Sequence, residues 1–472
     1  MTHLKVGNVW TEVDAAAEVS RLLSFKPRGY KFAPSFKNGN WDGTIKLART
    51  RNGKTLIPSG LVPWLQTQPG RWEVEDMHLR PPAGFSAGSS WLYDHQMQVA
   101  LDPHQEAAVV SAIQAGQGII QYPTGVGKGR IIGEVVRRLN VRALVICDKL
   151  DLLRQLDAEV SNATGRNCGI AGGNQWVPGD ATIATFQTLS KRLKDNDPDA
   201  IGLLKQTDLV IVDEAHHAAA KGLGDILKLC PAFYRFGLSA TAFKSYAGKS
   251  TDRGTFLQVQ AFLGPPIESM TISEGINTGR IVGADVFVVH GCIPDPTPTI
   301  NYKEEYQQNI VDNIDRNSSI VSLARKLVVG DGTPTVILVS RIDHGEILAR
   351  FLVGFAGGAP FIHGGTKPKD RQAIYDEFKQ HGIPILIIGK LGDEAIDLPN
   401  IGALILAGGG NSPHVQIQRI GRSLRASNGK DRAMVFDYED YGKYLAAHYR
   451  RRRRTYDAEP AYVVIDIERG DL

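Results

Sequence analysis

The sequence predicts an α/β protein in which two tandem domains are each built on a parallel sheet covered on both faces by helices, with a small α+β domain ahead of them. From about residue 118, short apolar runs alternate with longer mixed segments, the pattern of strands alternating with helices. Those runs are rich in Val, Ile and Leu and lack polar alternation, as expected of strands buried on both faces. The N-terminal stretch is different in kind. Residues 1–82 hold four of the six tryptophans (Trp10, Trp41, Trp64 and Trp72) among many turn residues, and end at Pro81-Pro82.

Taken in order, the first α/β domain should have strands at residues 118–123, 142–148, 181–186, 209–214 and 235–240. The second should have them at 284–290, 334–340, 383–389, 401–408 and 432–438. Gly264-Pro265-Pro266 and the glycine-containing stretch 273–283 interrupt regular structure and put the boundary near residue 280. The expected division is therefore 1–82, 83–280, 281–455 and a C-terminal tail, 456–472. No repeat of fixed solenoid period is visible.

The chain has 472 residues, 42% hydrophobic and 22% charged, which excludes general disorder and a disulfide miniprotein. Its 54 Lys plus Arg against 50 Asp plus Glu leave a net charge of only +4, so a nucleic-acid surface has to come from local clustering. Cys147, Cys168, Cys230 and Cys292 are widely spaced and read as free thiols. Without an apolar stretch of membrane-spanning length or a signal-peptide core at the start, a cytoplasmic protein is expected.

The strongest local motif is Tyr122-Pro123-Thr124-Gly125-Val126-Gly127-Lys128-Gly129, between a strand and the helical pattern 130–139. Glycines let backbone N–H groups curl around phosphates at a helix N-terminus, and Lys128 can reach the β- and γ-phosphates. Taken alone, such a loop is also a plain tight turn. Gly129 stands where these loops carry Ser or Thr as a Mg²⁺ ligand, so either water takes that coordination position or metal binding is weakened. Further on, Asp213-Glu214-Ala215-His216 follows the apolar run Leu209-Val210-Ile211-Val212. Acids at a strand's C-terminal end lie beside the phosphate loop in such a fold, so Asp213 can hold Mg²⁺ and Glu214 can orient the attacking water. The bland alternative is a solvated helix N-cap. In the second domain Gln418, Arg422 and Arg425 share one helix face at i, i+4 and i+7, able to present two guanidinium groups to a γ-phosphate, or else forming a surface basic helix.

In this order the motifs resemble superfamily 2 helicases and translocases, in particular the branch carrying a DEAH sequence, over residues 92–455. The resemblance implies two RecA-like domains, ATP with Mg²⁺, and a DNA substrate. It implies that Gln105 reads adenine, with Gln96 a competitor of poorer spacing, and that Thr185 and Gln187 lie near the nucleic-acid backbone. Ser239 and Thr241, with His216, match the motifs that link hydrolysis to domain movement. Residues 334–341, His363-Gly364-Gly365 and 389–399 resemble later motifs and bring Asp397 to the nucleotide, although Gly389 and Ala395 depart from the usual Thr and Gly. Arg422 and Arg425 become arginine fingers that complete the site when the domains close.

Between residues 24 and 54, eight basic residues including Lys31 and Lys37 face a single acid, Asp42, and are interleaved with Phe25, Tyr30, Phe32, Phe36 and Trp41. Such a mixture suits phosphate neutralisation with base stacking, or a duplex-splitting wedge; alternatively the aromatics form the small domain's core. The segment 30–43 also resembles the N-terminal domain of phage UvsW-type helicases. Arg450 to Arg454 form an unbroken basic run that could touch DNA.

The function expected is an ATP-dependent DNA helicase or translocase, monomeric, acting on branched, forked or duplex DNA, with single-stranded DNA and RNA–DNA hybrids as further substrates and no membrane partner. Two other readings stay open. One is an ATP-gated nucleic-acid clamp that Gly129 has robbed of efficient hydrolysis; the other is the motor subunit of a restriction system. If phage-encoded, the protein would act in the host cytoplasm.

Overall fold

The structure is a computed structural model describing residues 2–27, 29–80, 100–216, 221–240, 253–292, 301–355, 358–389, 401–410, 420–421 and 431–471. It forms two compact units, Met1–Tyr122 with Gly127–Met270, and Pro123–Val126 with Thr271–Leu472. No helix among the described residues is long and apolar enough to cross a membrane.

The first unit opens with strands β1 (Thr2–Val6), β2 (Trp10–Val13), β3 (Arg49–Arg51), β4 (Lys54–Pro58) and β5 (Trp72–Asp76), in the order β3-β4-β2-β1-β5. Leu4 and Val6 alternate with exposed neighbours along β1, as on a sheet with one buried face. That face and helix α1 (Ala16–Leu22) do not make a core of their own. Leu4, Val19, Ile57 and Leu61 join one continuous cluster with Leu257 and Phe262 further along the chain, and with Ile146 and Val212 of the larger sheet. Trp10 meets Phe262 edge-on, with ring centroids 5.7 Å apart. The small N-terminal sheet, expected to be separate, thus shares its apolar core with the α/β layer, since so few residues bury too little surface alone.

The larger sheet of this unit comprises β6 (Gln117–Gln121), β7 (Ala143–Cys147), β8 (Gly169–Gly172), β9 (Gln175–Val177), β10 (Ala181–Thr185), β11 (Leu209–Asp213), β12 (Tyr234–Ser239) and β13 (Pro266–Ser269), in the order β9-β8-β10-β7-β11-β12-β6-β13. Every pairing is parallel except that of edge strand β9. β7, β10 and β11 are buried along their whole length, matching their unbroken apolar runs. The Gly264-Pro265-Pro266 segment, expected as a hinge, leads directly into β13, where the edge position tolerates a residue without an N–H. β12 is anchored by Arg235, a fully buried guanidinium that donates to the carbonyls of Leu227, Cys230 and Phe262. Two of these lie at the ends of helices Lys221–Leu229 and α5 (Arg253–Leu263), where the helix dipole favours a cation.

The second unit holds a seven-stranded parallel sheet of β14 (Gly283–His290), β15 (Thr335–Leu338), β16 (Phe361–Ile362), β17 (Ile385–Ile388), β18 (Ala403–Leu406), β19 (Arg432–Tyr438) and β20 (Tyr462–Glu468), in the order β16-β17-β15-β18-β19-β14-β20. Residues 456–472, expected as a tail, contain β20, which pairs with β14 from Ala284↔Tyr462 to His290↔Glu468. The alternating exposure of this edge strand hides it from a search for continuous apolar runs. The four cysteines are free, and burial pushes their thiols up from the ordinary range.

Candidate functional site

The glycine-rich loop occupies the place its sequence assigns it. β6 delivers the chain at the sheet's C-terminal edge, Tyr122 N–H donates to Ser239 O at 3.1 Å, and helix α3 (Lys128–Leu139) starts with Gly127 at its N-cap. Gly125 and Gly127 have φ of +98° and +89°, a region that strains any residue with a Cβ, and a Cβ at 127 would collide with the amide of Gln105. Lys128 Nζ donates to Tyr122 O at 3.2 Å, so its ammonium folds over the loop. Gln105, the expected adenine reader, is buried in helix α2 (Pro103–Ala115), where its Oε1 accepts from the N–H of Asp102 at 3.1 Å in a capping box.

Gly129 has a packing explanation. A Cβ there would come within 3.1 Å of Glu159 Cγ, and one at Gly133, a turn later, within 2.9 Å of both Ala163 Cβ and Glu159 O. The two glycines let helix α4 (Leu150–Thr164) lie close against α3. The missing hydroxyl is thus tied to a helix–helix contact.

At the end of β11, Asp213 is buried, and its carboxyl is pushed up to about 7 by that burial and by Glu214, with the Lys128 ammonium pulling the other way. A divalent cation would hold this carboxyl ionised, and an isolated hard oxygen donor suits Mg²⁺, which completes its shell with water and phosphate. Among the described residues no three His, Cys, Asp or Glu side chains gather as a metal cage. Glu214 adopts φ +54°, a strained value for a non-glycine residue, and donates its N–H to Asp213 Oδ1 at 3.0 Å. His216 Nδ1 lies 3.3 Å from Glu214 Oε2 and 3.2 Å from Ser239 Oγ, which is fully buried. The acid motif and the serine at the end of β12 are therefore in direct contact within one unit.

The expected nucleic-acid residues are dispersed over the first unit. Thr185 is buried and donates its hydroxyl to Thr188 Oγ1 at 2.9 Å, whereas the exposed Gln187 donates its amide to Asp148 O at 2.7 Å. Lys31 and Lys37 are exposed; Trp41 is half-buried and its indole N–H donates to Thr44 O at 2.9 Å. The aromatics of this segment divide in a way that composition conceals. Tyr30 and Phe36 pack edge-on at 5.0 Å, while Phe32 is 79% exposed beside Lys31. Thr241, Asp397, Gln418, Arg422 and Arg425 lie outside the described residues. A cavity of about 690 Å³ lined by Arg142, Trp176 and Asp180 opens at the opposite, N-terminal ends of the strands, away from the loop.

The basic run 450–454 is not a DNA-facing tail throughout. It belongs to helix α8, counted after α6 (Tyr302–Tyr306) and α7 (Ile314–Asp331), which spans Leu445–Asp457. Arg452 is 0% exposed and bonded to Asp437 and Asp440, and Arg453 pairs with Asp457 and Asp466; Arg450, Arg451 and Arg454 are exposed. A signal was present in the sequence: Leu445, Tyr449, Arg452 and Tyr456 recur at helical spacing, and all four are buried.

Comparison with known proteins adds three family models: "DNA helicase UvsW, N-terminal" over residues 5–69, "Type III restriction enzyme, res subunit" over 98–244, and "Helicase conserved C-terminal domain" over 319–427. The ATP-dependent DNA helicase uvsW of Enterobacteria phage T4 is 24% identical over 457 residues, covering 90% of this chain and 86% of that protein. The DNA 3'-5' helicase XPB of Kineococcus radiotolerans is 26% identical over 412 residues, covering 84% and 69%. A structure of Saccharomyces cerevisiae Dbp5 bound to RNA and ADP BeF3 shares the fold at a TM-score of 0.54 and 15% identity, covering 78% of this chain and 90% of that one. With the res-subunit model on the first α/β sheet, the helicase C-terminal model on the second and the UvsW model on the small sheet ahead of them, the chain is a superfamily 2 helicase resembling the phage UvsW type.

Proposed function

We propose that the protein is an ATP-hydrolysing DNA helicase or translocase, and that its preferred substrates are branched, forked or partly duplex DNA. The observation that carries this reading is the strand-end group of the first unit: buried Asp213 at the end of β11, and Glu214 joined through His216 to Ser239, at the strand ends from which the glycine loop leads into α3 at Lys128. The loop from Thr124 to Gly129 binds the phosphates, Lys128 neutralises them, and Glu214 orients the attacking water. Mg²⁺ held by Asp213 would supply charge neutralisation at the phosphates. His216 and Ser239, with Thr241, report the state of the γ-phosphate to the rest of the chain. From the second unit, Gln418, Arg422 and Arg425 stabilise charge on the transferred phosphoryl group, and Asp397 contributes to nucleotide binding. The exposed Lys31 and Lys37, with Trp41, engage DNA at the N-terminal sheet, and the exposed Gln187 contacts backbone phosphates together with Thr185. We place the protein in the cytoplasm as a monomer; an RNA–DNA hybrid is a further substrate to be tested.

Steady-state ATP hydrolysis tests this reading, with no nucleic acid, single-stranded DNA, duplex DNA, a fork or RNA, repeated for Glu214→Gln and Lys128→Ala. DNA-stimulated turnover that vanishes in both variants is expected. Undiminished hydrolysis by Lys128→Ala would remove the phosphate-loop assignment. Gly129 favours a second reading, the ATP-gated clamp, because no hydroxyl ligand follows Lys128. Nucleotide binding without turnover on any nucleic acid would select it.

A further inference from the structure

Between Phe25 and Ile45 the chain of the first unit runs out and back on a two-stranded antiparallel ribbon, paired Ser24↔Lys46 and Phe25↔Ile45. The foot of the ribbon is locked. Leu23 is fully buried, Leu47 N–H donates to Leu23 O at 3.1 Å, and Phe25 and Leu47 pack against the core shared with the α/β layer. A Cβ at Gly254, in the first turn of α5, would lie 2.4 Å from the Phe25 ring, so ring and helix backbone meet directly. The tip of the ribbon packs around Tyr30. Phe36 meets that ring edge-on at 5.0 Å, Lys26 Nζ lies 5.1 Å from its centroid, and a Cβ at Gly43 would stand 2.3 Å from its Cδ2. Phe32 is left out of this packing. It is 79% exposed, and Phe351, at 42%, is the next most exposed Phe, Tyr or Trp among the described residues. Lys26, Lys31 and Lys37 are exposed on the same excursion, where Asp42 is the one acid between residues 26 and 44, and its Oδ1 accepts from the N–H of Thr44 at 2.8 Å.

One exposed apolar side chain on a surface needs no explanation. This ring is different, because it stands on a basic projection whose foot is fixed in the core. The charge suits phosphates and the ring suits the face of a base. Inside a continuous duplex those faces are covered by stacking, and along a single strand successive bases use successive aromatics, whereas the tip offers one ring. A lone ring flanked by cations fits the end of a stacked helix, where a single base face is open. We propose that Phe32 stacks on the last base pair of the duplex arm at a fork or branch, with Lys31 and Lys37 on the adjoining phosphates. The locked foot then lets the tip press that pair open as the first unit advances. This rests on the DNA reading above and deepens it: the tip is what turns movement along DNA into strand separation.

The test uses the full chain and a fork carrying a fluorescent adenine analogue in the last base pair of the duplex arm, or deep inside that arm as a control. The parent, Phe32→Ala and Phe32→Trp are compared for fork affinity, probe fluorescence without ATP, fork unwinding, ATP turnover on single-stranded DNA and melting temperature. Phe32→Ala is expected to weaken fork binding roughly 5-fold to 100-fold, the scale of one lost base stack, and to slow unwinding at least as much, with turnover on single-stranded DNA within about twofold of the parent. The melting temperature should not move, since an exposed ring supports no packing. The fluorescence change at the junction should vanish in Phe32→Ala and persist in Phe32→Trp, and the interior probe should stay silent throughout. Unwinding and a junction signal that survive Phe32→Ala would overturn the proposal, as would equal losses in the Ala and Trp variants or a loss matched by a fall in melting temperature. A parent that neither binds forks nor hydrolyses ATP faster on DNA would sink the DNA reading itself. A parent that does both, with Phe32→Ala indistinguishable from it, leaves that reading standing and removes the tip alone.

Discussion

Replacing Arg452 by Met should cost far more stability than the same change one residue earlier. Arg452 donates to Asp437 Oδ2 at 2.7 Å, Asp437 Oδ1 at 3.2 Å, Asp440 Oδ2 at 2.8 Å, Tyr438 O at 3.1 Å and Gly410 O at 3.0 Å. Burial alone would work against its charge, but Asp437 and Asp440 more than offset that and keep the guanidinium ionised. Methionine keeps most of the volume and strands two carboxylates inside the fold. Asp440 retains Arg316, at 3.4 Å, and Asp437 the hydroxyl of Tyr456, at 2.8 Å, and the N–H of Tyr438, at 2.9 Å, but neither keeps a cation within 3 Å. Breaking one side of a buried pair costs about 3–5 kcal/mol. For a cooperative unit of some two hundred residues, that lowers the melting temperature by roughly 6–20 °C. Arg451→Met, on the exposed face, should stay within about 0.5 kcal/mol. Thermal and urea unfolding of both variants measure the difference, and adding Asp437→Asn to Arg452→Met should recover part of the loss, since one stranded charge is gone. Equal shifts for the two arginines, or a loss below about 1 kcal/mol at Arg452, would refute the buried network.

Gly129→Ser should lower the Mg²⁺ concentration needed for half-maximal ATP hydrolysis severalfold while lowering the melting temperature, since the new Cβ presses on Glu159 Cγ at 3.1 Å in the α3–α4 contact; an unchanged Mg²⁺ requirement would show that the missing hydroxyl does not limit the site. His290 is bonded to Glu439 and Asp466, each at 2.8 Å; burial opposes its charge, the two acids more than offset that, and its pKa is raised. The resulting stability is fully present below the unfolded imidazole value of about 6.5 and is lost as pH rises through the higher folded value, so the melting temperature should fall over that range and His290→Gln should flatten the fall. Lys31→Ala with Lys37→Ala should lower the salt slope of duplex binding by roughly 0.9 for each phosphate that is no longer neutralised. Phe32→Ala should weaken fork binding and leave that slope alone, and a slope change from Phe32→Ala instead would contradict a stacking role.

All ten expected strands are present with ends shifted by no more than two residues, because Val, Ile and Leu runs such as Ala143–Cys147 or Ile385–Ile388 are buried on both faces and signal themselves. Within the two α/β sheets the strands not foreseen, Gly169–Gly172, Gln175–Val177, Pro266–Ser269, Phe361–Ile362 and Tyr462–Glu468, are short, glycine- or proline-bearing, or alternately exposed, and the last four are the sheet edges, where solvent reaches one side. The glycine loop at the start of α3 and the acids at the end of β11 were equally legible in their placement, because each directly follows an apolar strand run.

What the sequence alone determined was therefore local: the strand runs, the glycine loop with no hydroxyl after Lys128, the acid pair at a strand end, and the family to which their order points. Tertiary structure decided everything that depends on residues far apart in the chain. Gly129 reads as a defect until α4 is seen lying against it, and five consecutive arginines read alike until helix geometry turns Arg452 inward and its neighbours out. Phe32 is indistinguishable in composition from Tyr30 and Phe36, yet only it is left in solvent. The physical reason is common to all three. Burial, pairing and exposure belong to the surroundings of a side chain, and those are assembled from segments that adjacency in the chain does not bring together.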